Sequence, residues 1–517
     1  MKKSFGIALS VVLLAASAPY AHAQVTKFEV AGIPVILKPI TANDVIAVRL
    51  YIKGGSASLT PANAGIEAMM LAVSTQGTSK YSKDAFAELS TETGTNIGSQ
   101  AAMDYSVLAM QGVRQNWSKA WDLFTEAALH PTFPATEVEI VRGQMVDAAK
   151  RIADDPDSYL TYLADSLFYT GHPYAVVPSG TAASLTAITR DALAAWHKQR
   201  MTKENLLIVV VGNVSRADLT SKIQAAFGGL PATGGSVPRV NAVSSVTPEL
   251  VVVERPLPTN YITGYYAAPS LTDPDYPAFR AATDMLSDRL FEEVRTKRNM
   301  TYAVGAGLET RAANRGRLYV TAVDPDTTVK VIFSTVKQLQ DSVVSAQTVA
   351  ENLNASLTAY LMGQETNMGQ AAALGLWEVV GGGWQNYEKF IADYKRVPPA
   401  DVQRVAKQYL QHGRFVVIGD PKKVTRTVLL SFEAFGSRMR LISSRDSRRC
   451  RRVVRSTARG MAARSDASSE MSSPRMSART SEFDELRLVL TARAGDTVTT
   501  SAGVGFSFAS ACASHAR

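Results

Sequence analysis

The fold of this 517-residue chain is decided by the stretch ITRDALAAWHKQRMTKENLLIVVVGNVSRADL, residues 188–219. A helical pattern, a short polar turn, an unbroken apolar strand and a glycine-containing exit follow one another in it. The same order returns in VPPADVQRVAKQYLQHGRFVVIGDPKKVT, residues 397–425. Two such closings about 200 residues apart indicate an internal duplication, because this spacing is too long for a solenoid repeat.

The two closings divide the chain into two similar halves. Alternating strands open each half, and helical patterns follow them. We expect an α+β fold of two homologous α/β sandwich domains, each with an antiparallel or mixed sheet and helices packed on one face. The predicted domains are residues 24–227 and 249–430. The Gly-, Pro- and Ser-rich residues 228–248 are predicted to join them as a linker.

Residues 1–23 have the pattern of a signal peptide. Lys2 and Lys3 precede an apolar run that is too short for a stable membrane anchor, and residues 21–23 (AHA) provide small residues before a cleavage site. We therefore expect export, most simply to a bacterial periplasm, and no membrane span in the mature protein.

Residues 431–517 differ in character from the body. From residue 436 onward there are 15 Arg, no Lys and 7 Asp plus Glu, so this segment supplies +8 of the net charge of +9. Its composition predicts a disordered tail. We interpret it as an out-of-frame or read-through product; the rival interpretation is a basic tail that binds anionic surfaces. Both cysteines, Cys450 and Cys512, lie there. The nearly neutral body has no basic footprint for nucleic acid.

The stretch GGSASLTPANAGIEAMMLAVSTQGT, residues 54–78, predicts a buried helix between two glycine-containing turns. It contains no histidine. The histidines elsewhere in the body are isolated, which favours structural roles, since metal ligands cluster. The sequence has no GxSxG elbow, no P-loop and no paired metal-type cysteines. A Ser-His-Asp triad assembled in space stays open, although nothing points to one.

Two longer stretches carry a family resemblance. They are ADDPDSYLTYLADSLFYTGHPYAVVPSG (153–180) and LFEEVRTKRNMTYAVGAG (290–307). With the duplicated halves, they make residues 25–425 resemble the pitrilysin and mitochondrial processing peptidase family. Its members are zinc endopeptidases and their non-catalytic partners, whose two-domain halves close around a peptide chamber. Active members carry His-x-x-Glu-His, an inverted zinc motif, in a frame matched here by Gly65 and residues 77–78.

The motif positions in this frame hold no metal ligand. The resemblance places Ala68, Leu71 and Ala72 at the His, Glu and His positions. None of these side chains can bind zinc or transfer a proton. The stretch that matches the third ligand, GQMVDAAKR at 143–151, contains no Glu, and Asp147 is its only acid. The resemblance therefore implies that this chain has no zinc site of its own.

A second feature of the family has matching residues here. Arg295 and Tyr302, seven residues apart, match an Arg and a Tyr that reach across the chamber to bind the substrate backbone. Arg can donate charge-assisted hydrogen bonds to peptide carbonyls, and a Tyr hydroxyl can donate to an oxyanion. The alternative for this pair is a surface Arg and a core Tyr. Lys297 and Arg298 are interpreted as solvated helix charges.

These residues lead to two hypotheses of different class. In the first, the chain is a non-catalytic, zinc-free subunit of a heterodimeric periplasmic metallopeptidase. A homologous partner subunit would hold the zinc, and Arg295 and Tyr302 would bind peptide substrates in trans. In the second, the chain is a catalytically inactive peptide-binding or scaffold homodimer. A lone hydrolase with another site has little support in the sequence.

Overall fold

The computed structural model of the protein describes residues 24–234 and 237–432. The predicted signal peptide and the Arg-rich segment with its two cysteines, apart from residues 431–432, lie outside the described residues. The described part contains two sheets and many helices. The strands are β1 (Thr26–Val30), β2 (Ile33–Pro39), β3 (Val45–Lys53), β4 (Asn96–Ala101), β5 (Tyr105–Val113), β6 (Leu206–Gly212), β7 (Glu249–Glu254), β8 (Asn260–Ala267), β9 (Val304–Leu308), β10 (Arg315–Ala322) and β11 (Arg414–Gly419).

The helices follow the strands of each half in several groups. They are α1 (Ile66–Val73), α2 (Lys83–Thr93), α3 (Trp117–Leu129), α4 (Ala135–Arg151), α5 (Pro156–Phe168), α6 (Ala182–Ala187), α7 (Arg190–Arg200), α8 (Arg216–Phe227), α9 (Tyr276–Leu290), α10 (Pro325–Asp341), α11 (Ala346–Met362), α12 (Asn367–Val379), α13 (Asn386–Tyr394), α14 (Pro399–Tyr409) and α15 (Arg426–Leu429). No helix in these ranges has both the length and the apolar character that a membrane crossing requires.

The two sheets have equivalent topologies. The first has the order β1-β2-β6-β3-β5-β4, and the second has the order β7-β11-β8-β10-β9. In each, the closing strand pairs in parallel with the opening strand and antiparallel with the next one: β6 lies between β2 and β3, and β11 lies between β7 and β8. The predicted α+β fold with two duplicated mixed sheets is confirmed.

The closing strands are almost entirely apolar, and both faces of each sheet are covered. All seven residues of β6 (LLIVVVG) are buried, and five of the six residues of β11 are buried. A strand with one solvent-exposed face would instead alternate apolar and polar residues. One face of each sheet carries the main core of its own half, as the sequence predicted.

The opposite face of each sheet is covered by a helix from the other half, which the sequence did not indicate. Helix α12 belongs to the second half, yet Ala371 and Leu374 pack on Tyr51 and Val209 of the first sheet. Helix α5 belongs to the first half and packs on β8 and β11 of the second sheet. The halves therefore exchange one helix each.

Helix α12 approaches the first sheet closely at a glycine. Gly375 is buried, and a Cβ added to it would lie closer than 3.0 Å to three atoms of the Tyr51 side chain. The Tyr51 ring is fully buried, and its hydroxyl donates to the Ala371 or Ala372 carbonyl at 3.4 and 3.3 Å. The absence of a side chain at residue 375 is what allows the helix to lie on the tyrosine.

Polar contacts also join α5 to the second half. Arg315, only 1% exposed, contacts the Asp165 carboxylate at 2.9 Å. The Tyr169 hydroxyl donates to the Ala313 carbonyl at 2.8 Å, and the Arg414 guanidinium donates to the carbonyl at the end of α5. These contacts satisfy buried polar groups at the boundary between the halves, as buried polar groups require.

Candidate functional site

Helix α1 is the element on which the resemblance places a zinc motif. It begins after Gly65, whose φ of 87° lies in the left-handed region. A Cβ at Gly65 would meet Leu185 Cδ2 at 2.7 Å and Gly180 Cα at 2.8 Å, so both conformation and space require glycine. The helix ends at Val73 and packs against α4 and α7.

The three motif positions lie on α1 without ligand chemistry. Ala68 and Ala72, one helical turn apart, share a half-buried face, and Leu71 is 2% exposed in the core. Met69 and Met70 are fully buried. An i, i+4 pair is the right spacing for two metal-binding side chains, but alanine methyl groups cannot coordinate a metal. Within residues 24–234 and 237–432, no group of three or more His, Cys, Asp or Glu could hold a metal ion.

The stretch that matches the third ligand forms the C-terminal part of α4. Its acid, Asp147, is exposed, while Met145, Val146 and Ala149 pack against the core of the first half. The apolar face of α4 thus packs against the core, and the Asp147 carboxylate lies on the solvent side of the helix.

The acidic residue of α1, Glu67, pairs with side chains of α7, and this contact was not predicted from the sequence. Glu67 is 2% exposed, and its Oε2 accepts from Arg200 Nε at 3.0 Å and from Trp196 Nε1 at 3.2 Å. The Arg200 guanidinium also donates to the Lys53 carbonyl. Both donors of Glu67 come from α7, so this carboxylate fixes α1 against α7. A glutamate in an otherwise apolar helix was the available sequence signal.

Strand β4 lies at the edge of the first sheet, next to α1. Four of its six residues are exposed, and it pairs only with β5 within the described residues. An edge strand presents unpaired N–H and C=O groups that can pair with an extended peptide. The surface beside α1 therefore includes a sheet edge that no other strand of the described residues pairs.

Arg295 lies in a π-helical turn, Phe291–Thr296, that extends α9. The side chain is exposed, and its guanidinium lies 4.7 Å from the centre of the Phe291 ring. Such a cation–π contact orients an arginine without neutralising its charge. Phe291 itself is 43% exposed, so an apolar ring and a cation share this surface.

Tyr302 projects from the chain immediately before β9. It is 85% exposed, whereas its neighbour Thr301 is buried and hydrogen-bonded to Thr321 at 3.0 Å between hydroxyl oxygens. Asn299, with φ of 49°, turns the chain between the π-helical turn and this anchor. The alternative of a core tyrosine at this position is therefore wrong. The functional role of Arg295 and Tyr302 stays a prediction.

The structure does not bring this pair onto α1. Within the described residues, no hydrogen bond or ion pair joins Arg295 or Tyr302 to that helix. Each belongs to the surface of the second half, while α1 packs in the first-half core. Both side chains therefore remain on the exposed surface of the second half.

Comparisons with known proteins give a consistent result. The family model described as Insulinase (Peptidase family M16) matches residues 35–175, and the one described as Peptidase M16 inactive domain matches residues 187–356. An uncharacterized zinc protease of Mycobacterium tuberculosis (strain H37Rv) is 25% identical over 305 residues, covering 56% of this chain and 69% of the relative.

A probable inactive metalloprotease of Bacillus subtilis is 25% identical over 190 residues, covering 34% of this chain and 45% of that protein. Among solved structures, a peptidase M16 inactive domain from Pseudomonas fluorescens aligns with a TM-score of 0.70 and 21% identity. That alignment covers 77% of this chain and 98% of the other. At this identity, the structural likeness concerns the fold alone.

Proposed function

This chain belongs to the M16 family of peptidases as an inactive-type member, and we propose that it is the zinc-free subunit of a heterodimeric metallopeptidase. The observation that carries the proposal is the contrast between two surfaces. Helix α1 has alanine and leucine at all three motif positions, whereas Tyr302 is 85% exposed and Arg295, seven residues earlier, is also exposed.

The large exposed surface of the Tyr302 side chain is unusual for an aromatic residue in a folded protein. Most tyrosine surface is buried in folded proteins, and Tyr and Arg are enriched where proteins bind partners. Thr301 fixes the backbone, so the exposure of Tyr302 does not come from a frayed segment. A pre-positioned Tyr and an exposed Arg seven residues before it suit recognition of a peptide backbone.

In the complex, each residue has a distinct chemical task. Arg295 donates charge-assisted hydrogen bonds to a carbonyl of the bound peptide and so orients it. Tyr302 donates its hydroxyl proton in a hydrogen bond to the carbonyl oxygen that becomes negative during hydrolysis. Zinc on the homologous partner subunit supplies Lewis-acid activation of water. This chain alone would not hydrolyse peptides.

The proposed compartment is the periplasm. It rests on the signal-peptide pattern of residues 1–23, which lie outside the described residues. Detection of the processed chain in a periplasmic fraction, with a cytoplasmic marker absent, tests this part of the proposal separately.

The functional test mixes the purified chain with a zinc-loaded homologue that carries His-x-x-Glu-His and measures cleavage of a quenched fluorescent peptide. We expect activity only in the mixture. Tyr302→Phe and Arg295→Ala should each lower kcat by about 10²–10³-fold, the loss typical of a removed oxyanion donor. Arg298→Ala is the matched control, because Arg298 pairs with Glu293 in the same region. Equal activity of all variants would contradict the trans role.

The second candidate is a peptide-binding or scaffold homodimer, and the exposed edge of β4 favours it. It predicts that the chain alone binds extended peptides and forms a dimer in light scattering. Under this candidate, the activity of a zinc-containing homologue does not depend on adding the chain. Replacing Ser99 on β4 with proline, which removes a backbone donor, should weaken this peptide binding.

A further inference from the structure

A cavity of about 670 Å³ lies between α5 and strand β10 of the second sheet. Its volume is in the range that binds small ligands in proteins. The walls combine aromatic and polar side chains, among them Tyr162 and Asp165 of α5 and Arg317 and Tyr319 of β10. Neither the residues of α1 nor Arg295 or Tyr302 line it, so it is separate from the surfaces described above.

Arg317 differs from the other arginines of this region. Arg315 and Arg311 reach the Asp165 carboxylate at 2.9 and 3.4 Å. The Arg317 guanidinium stacks on the Tyr319 ring at 4.5 Å, and its Nε donates to Thr263 Oγ1 at 3.3 Å. Within the described residues, its two terminal nitrogens have no hydrogen bond and no ion pair.

A half-buried guanidinium with two free nitrogens is positioned to receive a carboxylate. Its planar fork of N–H groups matches the two oxygens of a carboxylate, and the stacked tyrosine fixes its orientation. The third nitrogen of the guanidinium, Nε, already donates to Thr263 Oγ1. The geometry leaves the outer edge of Arg317 facing the cavity that it lines.

The neighbouring strand leaves space beside Arg317. Gly307 of the edge strand β9 is directly opposite Arg317, so any side chain there would project from the same face of the sheet. A Cβ added at Gly307 would meet no atom within 4 Å. The space is therefore available to a ligand.

The opposite wall offers acceptors for N–H groups. Asp157 lies in the exposed first turn of α5 and accepts from the Tyr319 hydroxyl at 2.6 Å, which leaves its other oxygen available. The hydroxyls of Thr161 and Ser166 line the same wall. A ligand between the two walls thus meets a cation on β10 and hydrogen-bond acceptors on α5.

From this arrangement we propose that the cavity binds the C-terminal end of a short peptide. The terminal carboxylate pairs with Arg317, backbone N–H groups donate to Asp157 and the hydroxyls, and the last side chain packs between Tyr162 and Tyr319. Inorganic phosphate could pair with Arg317, but it has no N–H groups to donate to Asp157, so it would use only one wall of the cavity.

The test uses a fluorescein-labelled Gly-Ala-Ala-Phe peptide with a free C-terminus and measures fluorescence anisotropy with the full chain. We expect saturable binding of this peptide and at least tenfold weaker binding of the same peptide with an amidated C-terminus. Inorganic phosphate at 10 mM should not displace it. Absence of binding, equal binding of the amide, or displacement by phosphate would each overturn the proposal.

Three variants locate the site. Arg317→Gln should weaken binding at least tenfold, and Gly307→Leu should weaken it by filling the space beside the guanidinium. Arg114→Gln, on an exposed turn before α3, should bind like the wild type. Circular dichroism checks that each variant is folded. If Arg317→Gln does not fold, unchanged binding by Gly307→Leu still refutes the site, since that residue contacts no neighbour through its Cβ.

Discussion

The substitution Gly375→Ala tests whether α12 of the second half holds the first sheet. In an ordinary helix this change stabilises a protein, because alanine has the higher helix propensity and loses less backbone entropy on folding. Here the added methyl group would lie inside contact distance of the Tyr51 ring and hydroxyl. Because Tyr51 is fully buried between strands β5 and β6, it has little room to move.

The expected magnitude follows from two opposing terms. Overpacking a tight core costs about 1–3 kcal/mol, and the helix-propensity gain offsets about 0.5–1 kcal/mol of it. The free energy of unfolding should therefore fall by about 0–2.5 kcal/mol. The matched control is Gly143→Ala in the middle of α4, where an added Cβ has no neighbour within 4 Å. This variant should gain about 0.5–1 kcal/mol.

The measurement is guanidinium unfolding at equilibrium, followed by both tryptophan fluorescence and circular dichroism. Adding Tyr51→Leu to Gly375→Ala removes the ring atoms that the methyl group would meet. The double variant should therefore lose less stability than the sum of the single variants, with a coupling of about 0.5–3 kcal/mol. If Gly375→Ala is as stabilising as Gly143→Ala, or if the effects simply add, α12 does not pack on Tyr51 as described.

Three further predictions concern buried charge, metal and pH. Glu67→Ala should lower the free energy of unfolding by about 3–5 kcal/mol, because it leaves Arg200 buried and unpaired. The double variant Glu67→Ala with Arg200→Met should lose clearly less stability. Equal losses would contradict the ion pair. After incubation with zinc and dialysis, elemental analysis should find well below one zinc per chain, and a stoichiometric amount would refute the assignment of α1. Desolvation raises the pKa of Asp104, although the Tyr174 hydroxyl and the Ala312 N–H donate to its carboxylate, so the folded state holds the carboxyl proton more tightly than the unfolded chain. The wild type should therefore lose stability relative to Asp104→Asn as the pH rises from about 4 toward neutrality. Parallel curves of stability against pH would contradict this.

Much of the architecture could be predicted from local patterns. The repeated helix–turn–strand closings indicated the duplication, and the unbroken apolar run at residues 206–211 indicated a strand. The prediction of an α+β fold with two related sheets was confirmed for this reason. The absence of metal-ligand side chains at Ala68, Leu71 and Ala72 is read from the sequence itself, and the lack of a zinc site on α1 stays a prediction.

The exchange of α5 and α12 could not be predicted in this way. An amphipathic pattern shows that a helix has an apolar face, but it does not show which sheet that face covers. The strands that α12 covers lie far from it in sequence, for example Tyr51, which is 320 residues from Ala371. The same limit applies to Glu67 and Arg200, whose pairing depends on tertiary contact.

The surfaces also needed three-dimensional information. The sequence identified Arg295 and Tyr302 as a candidate pair, yet their exposure depends on the π-helical turn and on the anchor at Thr301. The availability of the Arg317 guanidinium could be identified only from tertiary contacts, because Arg311 and Arg315 pair with Asp165 and Arg317 does not. A count of charges in the sequence treats these arginines as equivalent.

The exchanged helix has a consequence for synthesis on the ribosome. The first sheet is complete once Gly212 has emerged, but the helix that covers its second face ends at Val379. About 170 residues must still be made, which takes roughly 10–30 s at the usual rate of translation. During that time α12 is not available to cover Ile36, Val209 and their neighbours, so a first half that folded early would present a bare apolar surface until the second half arrives.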